Sequence, residues 1–163
     1  RMVLDHSVKD RILLSGEMAF LRQYLKLEAM RFEDGLHYTV DAEPGLLNGD
    51  DDLLVPTLLV QPFVENAVWH GLAAKEGEKK LSVRFAERDG KVVCTVEDNG
   101  VGRDAAPKRE HPDRSASLGL QLTNERLQLL AFKLEGTGRV LFTDLKEDDR
   151  PTGTRVELIL SEA

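Results

Sequence analysis

Residues 80–102 read "KLSVRFAERDGKVVCTVEDNGVG", and the fold turns on how that stretch is divided. Leu81, Val83 and Phe85 alternate with polar neighbours, the period-two signature of a strand with one buried face. "KVVCTVED" at 91–98 has the apolar and β-branched content of a second strand. Between them "RDG", ending at Gly90, supplies the turn chemistry of a hairpin. Beyond Asp98 the character changes, because "EDNGVG" at 97–102 follows directly on a strand. Gly100 and Gly102 can let backbone approach a ligand closely, and Asp98 at the strand's end is a fixed acceptor for the exocyclic amine of a base. An ordinary turn fits these residues as well, since Asp, Asn and Gly are common turn formers.

Outward from the hairpin, helices and strands alternate. Residues 15–32 read as a helix, with Ser15 as cap, Glu17 in the first turn and Met18, Leu21, Leu25 and Met30 at helical spacing. "LHYTVDA" at 36–42 alternates like a strand, and "NGDDD" at 48–52 is an acidic turn. A second helix is expected from Pro56 through His70, with Pro62 inside it predicting a kink. Residues 99–117 form a long polar loop, and long loops inside compact domains are often functional. A third helix is expected over 117–134, with Leu118, Leu122, Leu129 and Leu130 on its apolar side. Strands follow at 138–145 and 153–160. This order predicts an α/β sandwich, with helices on one face of a mixed, largely antiparallel sheet.

Composition narrows the function. The chain has 163 residues, enough for one domain with a hydrophobic core. A formal net charge of −7 argues against a nucleic-acid partner, because phosphate contacts need clustered Lys and Arg. "KEGEKK" at 75–80 is mixed in sign and reads as a solvated loop. The single Cys94 lies in "KVVCTV" and reads as a buried thiol, compatible with a reducing, cytoplasmic setting. No apolar run is long enough to span a bilayer, and no signal peptide is evident. The chain opens on Arg1 rather than Met, which we read as the mark of a piece of a longer protein. Any membrane anchor of that parent would lie outside it.

Three further stretches carry chemistry. In "QPFVENAVWHG" at 61–71, Asn66 and His70 are four residues apart and share one helix face. Glu65 is rotated by about 100° toward the edge of that face. Val60, Val64, Ala67 and Val68 are left to bury the other side. An amide oxygen suits magnesium, and an imidazole one turn on can reach a phosphate. A helix with a plain solvent face reads equally well. "SLGL" at 117–120 opens a helix after the long loop, and helix N-termini attract anions; Ser117 as a simple N-cap is the other reading. "GTR" at 153–155 enters the last strand and is, taken alone, a turn with a Thr.

The order of these stretches is specific. Helix with Glu-Asn and His, strand with Asp-x-Gly-x-Gly, loop–Gly–helix and Gly-Thr–strand closely resembles the nucleotide-binding boxes of the GHKL superfamily of gyrase, Hsp90, histidine kinases and MutL. "FLRQYLKLEAMRF", "PTLLVQPFVENAVWHGL" and "SLGLQLTNERLQLL" look like the LytS-type sensor histidine kinases, over nearly the whole chain from Leu14 to Leu160. The resemblance implies a Bergerat-type ATP-binding fold, with residues 15–163 as the catalytic domain and 1–14 as the tail of a dimerisation helix. It implies that Asn66 coordinates Mg²⁺, that His70 and Gly71 lie near the nucleotide, and that Asp98 accepts from the adenine amine. Gly100 and Gly102 would shape the pocket, Leu118, Gly119 and Leu120 would sit at the lid–helix junction, and Thr154 would support the adenine end. Glu65 would help to order the metal shell.

Two departures stand out against that pattern. Ser115, Ala116 and Ser117 stand where the second glycine box usually carries an additional glycine, which should stiffen the lid. The phosphoacceptor segment is absent, and none of His6, His37 and His111 has its context. The expected function is therefore the catalytic domain of a two-component sensor kinase. It would position Mg–ATP for transfer of the γ-phosphate to a histidine on a separate dimerisation domain, and thence to a response regulator. The parent is expected to be homodimeric and membrane-anchored, with this domain cytoplasmic. The alternatives are an ATP-hydrolysing switch of the gyrase or Hsp90 kind, with Glu65 as general base, and a nucleotide-binding scaffold without turnover.

Overall fold

The structure, a computed structural model, describes residues 11–47, 53–56, 59–103 and 139–162. Its elements in order are β1 (Arg11–Leu13), α1 (Leu14–Ala29), β2 (His37–Ala42), the short α2 (Pro44–Leu47), β3 (Leu54–Pro56) and α3 (Gln61–Asn66). A π-helical stretch, Ala67–Leu72, continues α3. Then come β4 (Lys80–Arg88), β5 (Lys91–Asp98), β6 (Val140–Glu147) and β7 (Arg150–Glu162). The helix expected at 117–134, most of the 99–117 loop, and residues 1–10 lie outside the described residues.

Five strands form one sheet in the order β2-β4-β5-β7-β6. Only the β2–β4 pair is parallel. The β4–β5 hairpin closes through Asp89 and Gly90, both at positive φ (53° and 75°), the two-residue turn that matches strand twist. β6 and β7 close through a second such turn, at Asp148 and Asp149.

Cross-strand register sorts the side chains into rows, because directly opposed residues share a face. One inward row is Phe85, Cys94, Leu158 and Val140; the next is Val83, Val96, Val156 and Phe142. Leu14, Met18, Leu21 and Leu25 of α1, Phe63 and Val64 of α3, and Ala67, Val68 and Leu72 of the π-helical stretch complete this core. The described helices thus cover one sheet face, as expected. On the other face polar pairs cross the strands, among them Arg155 and Glu97 at 3.3 Å. Cys94 is fully buried, and burial raises its thiol pKa far above the ordinary range. It should resist a water-soluble disulfide reagent in the native protein and react on unfolding; rapid labelling of the native protein would contradict that burial.

Three local expectations change. Helix α1 starts at Leu14, so Ser15 lies inside it and Leu13 occupies the cap position without a side-chain hydrogen bond. The Leu14 N–H instead donates to the Leu53 carbonyl at 2.7 Å, beside a two-stranded ribbon of β1 and β3. Glu17 is in the first turn but buried, with Oε1 lacking a hydrogen-bond partner among the described residues; desolvation raises its pKa. Pro56 ends a strand, and the helix starts at Gln61. Pro62 therefore falls in the first turn, where its missing N–H disrupts nothing, and the irregularity lies downstream in the π-helical turn.

Candidate functional site

The third inward row of the sheet is polar beyond Leu81. Leu81 is opposed by Asp98, Asp98 by Thr154, and Thr154 by Asp144. Period-two geometry thus turns Asp98 toward the helices at the end of a row that begins with Cys94 and Val96. Asp98 is 5% exposed and Thr154 is 8% exposed. Asp98 Oδ1 accepts the Gly100 N–H at 2.8 Å. Desolvation pushes the Asp98 pKa up to about 6, while the backbone N–H groups of Gly100 and Thr154 hold the carboxylate form against a larger rise.

The π-helical stretch reaches this carboxylate at Gly71. A β-carbon there would stand 2.7 Å from Asp98 Oδ1, and one on Gly100 would stand 2.1 Å from the Gly71 carbonyl oxygen. That carbonyl also accepts the Val101 N–H at 3.0 Å. Gly71, Asp98 and Gly100 therefore meet with no room for side chains between them. Gly102 has φ +86°, and its turn abuts Pro151. The Asn99 side chain secures the loop's other side, accepting the Lys80 N–H at 2.7 Å and donating to the Glu78 carbonyl at 3.0 Å.

Asn66 and His70 lie on the same segment. Along 61–72 the burial alternates in pairs, with 63–64, 67–68 and 71–72 buried and 61–62, 65–66 and 69–70 half-exposed. A strict α-helix would drift about 40° every four residues. The π-helical turn, with the Ala73 N–H donating to the Val68 carbonyl at 2.9 Å, offsets that drift and keeps Asn66 and His70 in one stripe. Burial lowers the His70 pKa, so its imidazole is neutral at neutral pH. Glu65 lies in the neighbouring stripe, where the Gln61 amide Nε2 donates to its Oε1 at 2.8 Å.

The structure thus brings Gly71, Asp98, Gly100 and Thr154 together, with Asn66 and His70 on the adjoining helix stripe. Leu118, Gly119 and Leu120 lie outside the described residues. Sequence reasoning quoted Gly153 in "GTR" but gave it no role of its own; it has φ +149°, and an added β-carbon would stand 1.9 Å from the Asp98 carbonyl oxygen. Its position directly before Thr154 was the available signal. Sequence reasoning passed over Arg103, whose guanidinium grips Asp144 with two bonds of 2.8 and 2.9 Å and stands 4.8 Å from the centre of the Phe142 ring. Among the described residues no group of three or more His, Cys, Asp and Glu is placed to hold a metal ion. No helix among them is long and apolar enough to cross a membrane.

Comparison with known proteins gives a consistent picture. The chain is 31% identical over 127 residues to the sensor histidine kinase YesM of Bacillus subtilis, an alignment covering 76% of this chain and 20% of that protein. It is 26% identical over 135 residues to the sensor protein LytS of Oceanobacillus iheyensis, covering 78% of this chain and 22% of the relative. It therefore spans about a fifth of the length of these two relatives. No family model matches. Among solved structures, a mycobacterial sensor histidine kinase, MprB, superposes with a TM-score of 0.54 at 14% identity, covering 94% of this chain and 100% of that one. The histidine kinase domain of a blue-light activated kinase from Erythrobacter litoralis gives 0.53 at 18% identity, covering 89% and 60%.

Proposed function

We infer that this chain, whose homologues are sensor histidine kinases and whose fold is that of their catalytic domains, is the ATP-binding catalytic domain of such a kinase. The observation that carries the reading is the buried Asp98 carboxylate at the end of the otherwise apolar inward side of β5, packed against two glycines that admit no side chain. A buried carboxylate is costly to maintain, and a ligand amine that donates to it offsets the desolvation.

In this reading Asp98 accepts from the exocyclic amine of adenine. Gly71 and Gly100, packed closely against it, fix where the carboxylate stands, while Thr154 and Gly153 hold the strand beside it. The neutral His70 imidazole donates a hydrogen bond toward the phosphates, and the Asn66 amide oxygen is a hard donor of the kind magnesium accepts. Magnesium, when bound, would offset charge on the phosphates. The protein's contribution is placement, holding the γ-phosphate in line for a nucleophile that this domain does not supply. Extended to the parent protein, the reading has the phosphoryl group pass to a histidine on a dimerisation domain and then to a response regulator. The parent would work as a homodimer, with this domain on the cytoplasmic side of a membrane.

Thermal unfolding tests the core of the reading. At ten times its Kd, Mg–ATP should stabilise the fold by about 1.4 kcal/mol, or roughly 3–6 °C in Tm. ADP should act similarly. GTP should not, because guanine presents a carbonyl where adenine presents an amine. No shift with any adenine nucleotide at millimolar concentration would overturn the assignment.

A further inference from the structure

The loop that follows Asp98 is fastened on both flanks. On the β4 side the Asn99 side chain accepts the Lys80 N–H and donates to the Glu78 carbonyl. On the other side the chain must pass β7 before it meets β6, because the sheet order there is β5-β7-β6. The passage is close. Backbone at Asp98 and Asn99 lies against Gly153, and the turn at Gly102 lies against Pro151. Arg103 completes the crossing. Its Nε donates to Asp144 Oδ1 at 2.8 Å, and its Nη2 donates to Oδ2 at 2.9 Å. The same guanidinium stands 4.8 Å from the centre of the Phe142 ring, which lies 6.1 Å from the ring of the buried Phe63 in α3. Hydrogen bonding from Arg103 holds the Asp144 carboxyl below its usual range. A partly exposed ion pair ordinarily adds little to stability. A two-pronged pair seated beside an aromatic ring does something else, because it fixes one geometry.

We propose that Arg103 is a positioning residue, a latch that holds the loop from Asn99 across β7 and so keeps the Gly100 N–H on Asp98 Oδ1. That hydrogen bond, at 2.8 Å, occupies one carboxylate oxygen and sets the direction in which the group points. Between the two fastenings, Gly100 and Gly102 have no side chains with which to hold the loop in place. A lysine at 103 could meet Asp144 as a point charge but not with two prongs. The inference rests on the nucleotide reading for its effect on binding, while the latch itself is independent of any ligand.

Both latch side chains are partly exposed, so their alanine variants should fold. Amide hydrogen exchange of the nucleotide-free chain reads the latch directly. Arg103→Ala and Asp144→Ala should each speed exchange at Gly100 and Val101 by about three- to ten-fold relative to Cys94 in the middle of β5. Arg103→Lys should fall between these variants and the parent. Unchanged exchange at Gly100 would overturn the latch, and so would an acceleration shared equally by Cys94, which would report only a weaker fold. Binding reads the consequence. Each alanine variant should weaken ATP by about three- to five-fold, the double variant no more than either alone. In an Asp98→Asn background Arg103→Ala should cost little further, since no carboxylate is left to orient. An undiminished loss in that background would mean that Arg103 meets the nucleotide itself, and would overturn the positioning role. If the parent chain binds no ATP, the nucleotide reading fails, and the exchange measurements still decide the latch.

Discussion

Asp98→Asn should raise the Tm of the nucleotide-free domain and at the same time remove most of its affinity for ATP. The first effect follows from burial. The Asp98 pKa stands at about 6 in the fold against an ordinary value of 3.8, so the folded state resists ionising it. Below the ordinary value the group is neutral in both states and the folded form keeps its full advantage. That advantage is lost as pH rises through the folded value near 6. At pH 7 the ionised side chain therefore destabilises the fold by up to about 3 kcal/mol, at 1.36 kcal/mol per unit. An amide of the same shape removes that burden and still accepts the Gly100 N–H, though more weakly. A net gain of about 1–3 kcal/mol is expected, and the parent's rise in stability between pH 7 and pH 5 should flatten in the variant.

The second effect has the opposite sign. A hydrogen bond to a charged acceptor contributes about 1.5–3 kcal/mol, so ATP affinity should fall about 10- to 100-fold. The parent's affinity should weaken likewise as pH drops through the Asp98 pKa, because the protonated acid no longer accepts at both oxygens. Calorimetry of nucleotide binding, paired with thermal unfolding of the free protein, reads both effects. An Asp98→Asn protein that bound ATP as the parent does would remove the adenine assignment. One that was less stable than the parent at pH 7 would show that the carboxylate serves the fold.

Gly100→Ala should be a severely damaging substitution for the addition of a single methyl group. The added methyl would stand 2.1 Å from the Gly71 carbonyl oxygen and 2.2 Å from its carbon. Both obstacles are backbone, so no side chain can swing aside, and the loop must part from the helix end. That breaks the Val101 N–H bond to Gly71 and exposes Asp98. The expected loss is about 3 kcal/mol or more, at the upper end for overpacking. In Tm this is roughly 6–12 °C for a domain of this size. Gly45→Ala is the control, since nothing lies within 4 Å of a β-carbon there and the residue sits in α2. If the two alanine variants melted alike, the close approach of helix and loop would be wrong.

The strands at 36–42 and 80–88 were legible by their alternation, the one at 91–98 by its apolar and β-branched content, and the first hairpin because Gly90 marks it. β6 and β7 run beyond their expected ends, to Glu147 and from Arg150. Their turn is Asp148–Asp149, and two aspartates at positive φ are less conspicuous than a glycine. β1 and β3 have three residues each, too few to show a period. The π-helical turn was invisible because no residue of "AVWHGL" demands it. Asp98 could be read from the sequence since its parity in β5 matches that of Cys94 and Val96. Gly153 was legible only as the glycine before Thr154, because its close approach is to backbone in an adjoining strand, which only the assembled sheet brings near.

The Arg103–Asp144 pair has a consequence for how the chain tolerates change. Arg103 is tied to β6 by a two-pronged ion pair, and the Arg139 carbonyl is fixed by the Ile159 N–H at 2.9 Å. Both ends of the connection from 104 to 138 are thus anchored within the sheet, whatever runs between them. Because Asp144 opposes Thr154, and Thr154 opposes Asp98, a change at Arg103 or Asp144 is felt along the cross-strand row that carries the buried carboxylate.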